Sequence, residues 1–284
     1  MKKHFIFLLT GLFALAALNG TLAGKTIIVD KFGTGPDRYT TIQAAITAAS
    51  ANDTVKIFPG VYNEQVGVSK NIVLQGSGYE STRIIADAAP ALSISAGKVM
   101  WLAISSSAGN AVNMSGGILT NCVMSNSPRY GIFYTGASPA KVQNCVVVNN
   151  AQLEGDQIYA ETTGLTVVNT ILWTFPSGQD RDDIASSCCS EKIGILYCRT
   201  RNAQGTGGIN ANPQFVSLTE LMLAGTSPGV DKGQPELNDP DGTRSDLGYY
   251  GGPDAPVSPV VTQLRIFVNP NGTVTVQATA QSSY

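Results

Sequence analysis

The chain contains a single histidine, His4, close to its start. The cysteines are also poorly placed for a metal: Cys188, Cys189 and Cys198 lack CxxC spacing, so a zinc site is not supported. Acidic residues are missing where a central active site would need them, since residues 91–150 contain no Asp or Glu. Chemistry run by paired carboxylates therefore has no acid in the middle of the chain. Charge is sparse throughout, at 13% of residues, with 18 Lys and Arg against 20 Asp and Glu, which argues against nucleic acid as a partner. Helical periodicity is absent outside one short stretch. Beyond residue 23, no apolar run is long enough to span a membrane.

What the chain has instead is one phrase repeated four times between Ala91 and Trp173. Each copy is a short alternating strand, a small-residue turn, a longer β-branched strand and a polar turn. Leu92, Val112, Ile132 and Ile158 open equivalent strands 20, 20 and 26 residues apart. Asn121-Cys122, Asn144-Cys145 and Asn169-Thr170 mark a second strand at intervals of 23 and 25. A period in the low twenties made of short strands predicts an all-β solenoid of stacked rungs, each stable only against its neighbours. Period-two alternation places Leu92/Ile94, Val112/Met114, Ile132/Tyr134 and Ile158/Ala160 inside. It leaves Ser93, Asn113, Phe133 and Tyr159 outside. The Asn column reads as stacked amides or as left-handed turn residues.

The first residues divide the chain. Lys2-Lys3, the apolar run Phe5–Leu18 and Thr21-Leu22-Ala23 describe a secretory signal over residues 1–23, without a following cysteine for lipid attachment. The protein is therefore expected outside the cytoplasm: periplasmic, extracellular or on the cell surface. About 260 residues remain, enough for one elongated domain, expected as a monomer. Ile42, Ala45, Ile46 and Ala49 form the one apolar helical stripe, predicting a helix over Tyr39–Ala49 that covers the open end of the coil. Asn52-Asp53 and Pro59-Gly60 supply turns beside it.

The stretch "YTTIQAAITAASANDTVKIFPGVYNE", followed by "KNIVLQGSG", resembles the opening of secreted bacterial proteins of the pectin-lyase-like superfamily, including pectinesterases. That resemblance implies a right-handed parallel β-helix (residues 24–215) with an N-terminal capping helix. The phrases "ILW", "NPQF", "SPGVD" and "DPDGTRSDLGYYG" resemble the closing segment of secreted bacterial β-helix proteins of undefined activity. Proline and glycine there predict an irregular C-terminal cap over residues 216–256, wrapped across the far end of the coil. Residues 257–284 read as a Pro-rich linker and a β-hairpin around Asn269-Pro-Asn-Gly272.

Several clusters carry candidate chemistry, each with a plainer structural alternative. The pectinesterase resemblance implies a nucleophilic carboxylate in a "GTVDFIFG"-type stretch, which has no counterpart here. A pectate-lyase-like reading implies acidic Ca²⁺ ligands and a cationic base. Glu154, Asp156 and Glu161 with Arg129 and Lys141 could supply them, or could simply solvate loops. Asp180-Arg181-Asp182-Asp183 is similarly open. Phe133 and Tyr159, near Tyr130, could stack on sugar rings while Asn113 and Glu161 hydrogen-bond, or could pack beneath a loop. Asp239, Asp241 and Asp246 form a Ca²⁺-loop-like pattern, or an Asx-turn network with Arg244 pairing an Asp. No other cofactor is suggested. Cys122 and Cys145 fall in register as a stacked thiol pair or a disulfide, and Cys188 or Cys189 could bridge to Cys198. Extracellular polysaccharide is the expected partner. The function expected is glycan binding or a surface structural role, against Ca²⁺-dependent lyase activity or a protein-binding adhesin.

Overall fold

A computed structural model describes residues 24–136, 138–153, 155–174, 183–187, 193–217, 219–256, 259–269 and 273–282. The rungs stack into an all-β parallel solenoid with three sheets. The first contains nine strands: Arg38–Tyr39, Thr26–Val29, Thr54–Ile57, Val73–Gln75, Lys98–Met100, Gly117–Thr120, Ala140–Gln143, Leu165–Val168 and Gly194–Leu196. The second contains six, from Gly60–Tyr62 through Thr82–Ala86, Ala103–Ser106, Val123–Ser125 and Val146–Val148 to Ile171–Trp173. The third also contains six: Val66–Val68, Leu92–Ile94, Val112–Met114, Ile132–Tyr134, Ile158–Ala160 and Ile184–Ser186.

Register follows the sequence repeat. Leu92 pairs with Val112, Val112 with Ile132 and Ile132 with Ile158, all in parallel. The same column continues to Val66 and Ile184. These residues fill a continuous interior together with Ile27, Val55, Leu74, Val99, Leu119, Val142 and Val167. The wider step to Ile158 reflects the longer connection that follows Val146–Val148.

Asn121, Asn144 and Asn169 turn the chain from the first sheet to the second in left-handed conformation, with φ of 45°, 49° and 48°. A short amide side chain tolerates this region better than most residues. All three are fully buried, so their amides need partners, and the C-terminal segment supplies most of them. Asn121 Nδ2 donates to Tyr249 O (2.6 Å) and Gly251 O (2.8 Å). Asn144 Nδ2 donates to Asp246 O at 3.0 Å, and Asn169 Oδ1 accepts from Gln234 N at 2.7 Å. Gly252, at φ +82°, is required here: a Cβ would sit 2.4 Å from Asn144 Oδ1.

This corrects the expected position of the C-terminal segment. It does not wrap across the far end; it runs back along the flank, where Trp101 Nε1 donates to Asp254 O (2.7 Å) and Lys98 pairs with Asp254. Tyr249 reaches the early rungs, its OH accepting from Tyr79 N. The reason is the outer face of the second sheet. Ala103, Val123, Val146, Val148 and Ile171 are apolar on the outside, and Leu221, Leu247 and Tyr249 bury them in a second core. The Val146–Val148 strand is therefore buried on both faces, which accounts for its unbroken valines.

The helix is shorter than expected, Ile42–Ala48, because Tyr39 pairs as a strand with Val29 and Thr41 is the N-cap. The first rung holds both its ends. Glu64 accepts from Ile42 N and Gln43 N (2.8 and 3.0 Å), and Lys70 Nζ donates to the carbonyls of Ile46, Thr47 and Ala49. Ile42, Ala45 and Ile46 are buried against the first rungs. Near the C-terminus, Pro259–Val268 and Val274–Ser282 form an antiparallel hairpin. Among the described residues no helix is long and apolar enough to cross a membrane.

Candidate functional site

The third sheet presents the face on which side chains converge. Its outward column runs Gly67, Ser93, Asn113, Phe133, Tyr159 and Ala185, in direct register. A second column lies two residues further along each strand and faces the same way: Ser69, Ser95, Ser115, Thr135 and Glu161. Main-chain bonds hold its register, from Ser95 N to Val68 O, Ser115 N to Ile94 O, Thr135 N to Met114 O and Glu161 N to Tyr134 O. The early rungs thus form a cleft of about 380 Å³ walled by hydroxyls and amides from Gln43, Ser69, Ser93, Ser95, Asn113 and Thr135. Gln43 closes one end, its Oε1 accepting from Gly67 N at 2.7 Å.

Aromatic rings take over on the later rungs. Phe133 and Tyr159 are nearly parallel, with centroids 5.9 Å apart and planes 9° off. Tyr130 joins them, 5.3 Å from Phe133 and 4.9 Å from Tyr159, at 17° and 26°. All three are half-buried. Gly155 approaches Tyr130 so closely that a Cβ there would lie 2.7 Å from the ring, so part of the patch is packed beneath the connection before Ile158. Asn113 is oriented by Asn110, whose Nδ2 donates to Asn113 Oδ1 at 2.9 Å. The structure therefore brings Asn113, Tyr130, Phe133, Tyr159 and Glu161 onto one face. The hydroxyl column was not singled out from the sequence, although a Ser or Thr two residues after each of Gly67, Ser93, Asn113 and Phe133 was its visible signal.

The lyase-type cluster is not assembled in the same way. Arg129 lies in the connection entering the third sheet, and Asp156 in the next one. Lys141, by contrast, is on the first sheet, where burial lowers its pKa and Asp254 and Lys98 act on it. Glu154 lies outside the described residues, as do Asp180, Arg181 and Asp182. Asp183 is buried and paired with Arg199 at 3.7 Å; its Oδ2 also accepts from Arg201 N. Arg199 in turn lies over the Trp173 ring at 3.9 Å.

The three aspartates of the C-terminal loop act on the backbone. Asp239 Oδ2 accepts from Asp246 N (2.9 Å) and its Oδ1 from Gly252 N; Asp241 Oδ1 accepts from Thr243 N (2.8 Å); Asp246 Oδ1 accepts from Asp231 N (2.8 Å). Burial raises the pKa of Asp239, and it pushes Asp246 up to about 6. Arg244 donates to Gly233 O and lies over Tyr197 rather than pairing with an Asp. Among the described residues, no group of three or more His, Cys, Asp or Glu side chains is placed to hold a metal.

Cys122, Cys145 and Cys198 are separate, fully buried thiols here, so the register of Cys122 and Cys145 produces a stacked column and no bond between them. Each Sγ–H is directed at main-chain carbonyls, such as Thr120 O for Cys122 (3.3 Å) and Gln143 O for Cys145 (3.2 Å). Burial pushes the Cys122 and Cys198 thiols up to about 12. Cys188 and Cys189 lie outside the described residues.

No family model matches the chain, and no curated relative matches it. Among solved structures it is similar to a pectin methylesterase from Erwinia chrysanthemi, at 13% identity and a TM-score of 0.39 over 61% of this chain and 70% of that one. A pectin methylesterase in complex with a hexasaccharide gives 16% identity and a TM-score of 0.40, over 60% and 70% of the two chains. Carrot pectin methylesterase gives 17% and 0.37, over 61% and 70%. Similarity at this level carries no argument about activity.

Proposed function

We propose that this is a secreted β-helix protein that binds extracellular polysaccharide along the outer face of its third sheet. The observation that carries the reading is the joining, on one regular face, of three near-parallel half-buried rings to a cleft lined by hydroxyls and amides. Saccharides offer apolar ring faces and many hydroxyls, so such a surface complements them in both respects. In the same proposal residues 1–23 are an export signal, and the coil winds right-handed, as parallel crossovers almost always do. The helix Ile42–Ala48 closes its first rung, residues 216–256 brace its flank, and residues 257–284 form a separate tail.

The test is retention of the chain lacking residues 1–23 on a panel of immobilised polysaccharides, with and without Ca²⁺, while absorbance of unsaturated uronate is followed. Retention without product is expected. Phe133→Ala and Tyr159→Ala should each weaken it several-fold with the fold intact by circular dichroism. Retention unchanged in both variants would remove the third sheet from the account. Ca²⁺-dependent absorbance would replace binding with lyase activity.

A further inference from the structure

We infer that the glycan this face accepts is uncharged, an inference that rests on the proposed binding role. From the first rung to Phe133, the two outward columns consist of Gly67, Ser69, Ser93, Ser95, Asn113, Ser115, Phe133 and Thr135, none of them ionisable. The cleft that all of these but Phe133 line with Gln43 contains no charged side chain among the described residues.

The charged groups next to it in the chain are already engaged. Glu64 is tied to the helix N-terminus, and Lys70 spends its ammonium on three carbonyls at the other helix end. Other cations project from different sheets. Lys98 and Lys141 stand on the first, with Lys98 paired to Asp254 at 2.7 Å, and Arg83 is on the second. Arg129 lies on the connection before Ile132, outside both columns. The first side chain in these columns that is charged at neutral pH is Glu161, beside the aromatic patch, and it is acidic.

A uronate or sulfate brought into this cleft would lose water without gaining a cation, and would lie on the same face as a carboxylate. Both changes oppose binding. A neutral chain loses nothing comparable, because serine hydroxyls and the Asn113 amide exchange hydrogen bonds with its hydroxyls one for one.

Affinity electrophoresis tests this. The chain lacking residues 1–23 is run in gels containing xyloglucan, glucomannan, galactan or mixed-linkage β-glucan, and in gels containing polygalacturonate, alginate or chondroitin sulfate. Each run is made at about 50 mM and about 500 mM NaCl, because screening at the higher salt removes attraction between charges. The expected result is retardation by at least one neutral polymer, altered less than about twofold by salt, and none by the acidic ones. Ser115→Lys should then gain salt-sensitive retardation in an acidic gel. Retardation by an acidic polymer in the wild-type chain, or neutral retardation abolished by salt, overturns the inference while leaving glycan binding intact. No retardation in any gel overturns the binding proposal itself, and this inference with it.

Discussion

Replacing Asn121 with alanine probes the element that joins coil and C-terminal segment. The substitution removes two donors to the Tyr249 and Gly251 carbonyls, and the acceptor that Thr120 Oγ1 uses at 2.8 Å. Each buried hydrogen bond contributes about 1 kcal/mol net, and an acceptor left unpaired costs about 1–3 kcal/mol. Alanine must also hold φ near 45°, which costs about 1 kcal/mol more than asparagine. The expected loss is therefore about 3–5 kcal/mol, a large part of a typical folding free energy of roughly 5–15 kcal/mol. Asn121→Gly separates the contributions: glycine accepts the backbone angle, so its cost should be about 1 kcal/mol smaller. Urea unfolding followed by circular dichroism measures the coil. Trp101 fluorescence reports the flank, since its indole is bonded to Asp254 O. A cost below about 1 kcal/mol for Asn121→Ala would refute the bracing role. Equal costs for alanine and glycine would refute the backbone contribution.

Thiol reagents should leave Cys122, Cys145 and Cys198 unmodified in the native state and label them in urea, because each is buried and protonated; native labelling would contradict this. The folded pKa of these thiols lies above that of the unfolded chain. Their contribution to stability is therefore complete below about pH 9 and falls as the pH rises towards about 12, and an alkaline urea series should show it. Asp246, also raised in the folded state, contributes stability below about pH 4 that is lost as the pH passes about 6. Asp246→Asn, which keeps the acceptor for Asp231 N, should raise the unfolding midpoint at pH 7 and leave it nearly unchanged at pH 4. Glu64→Ala frees two main-chain donors at the helix start and should cost about 1–2 kcal/mol in urea unfolding; a loss too small to resolve would mean that water replaces the carboxylate.

The sequence by itself determined the repeat and what depends on period alone. Leu92, Val112, Ile132 and Ile158 pair because a one-residue slip would turn every apolar side chain outwards. The same alternation placed Phe133 and Tyr159 side by side outside, and the spacing of Asn121, Asn144 and Asn169 marked one turn. Tertiary structure decided the rest. The sequence shows that residues 216–256 cannot continue the rungs, but not which surface they cover. That depends on the apolar outer face of the second sheet and on buried amides needing partners, both of which exist only once the coil has formed. Asp156, Glu161 and Lys141 look like one cluster along the chain, yet Lys141 faces a different way because each rung turns through three sheets. The hydroxyl column became a site for the complementary reason: serines some 20 residues apart, unremarkable singly, stack into one surface when the rungs do.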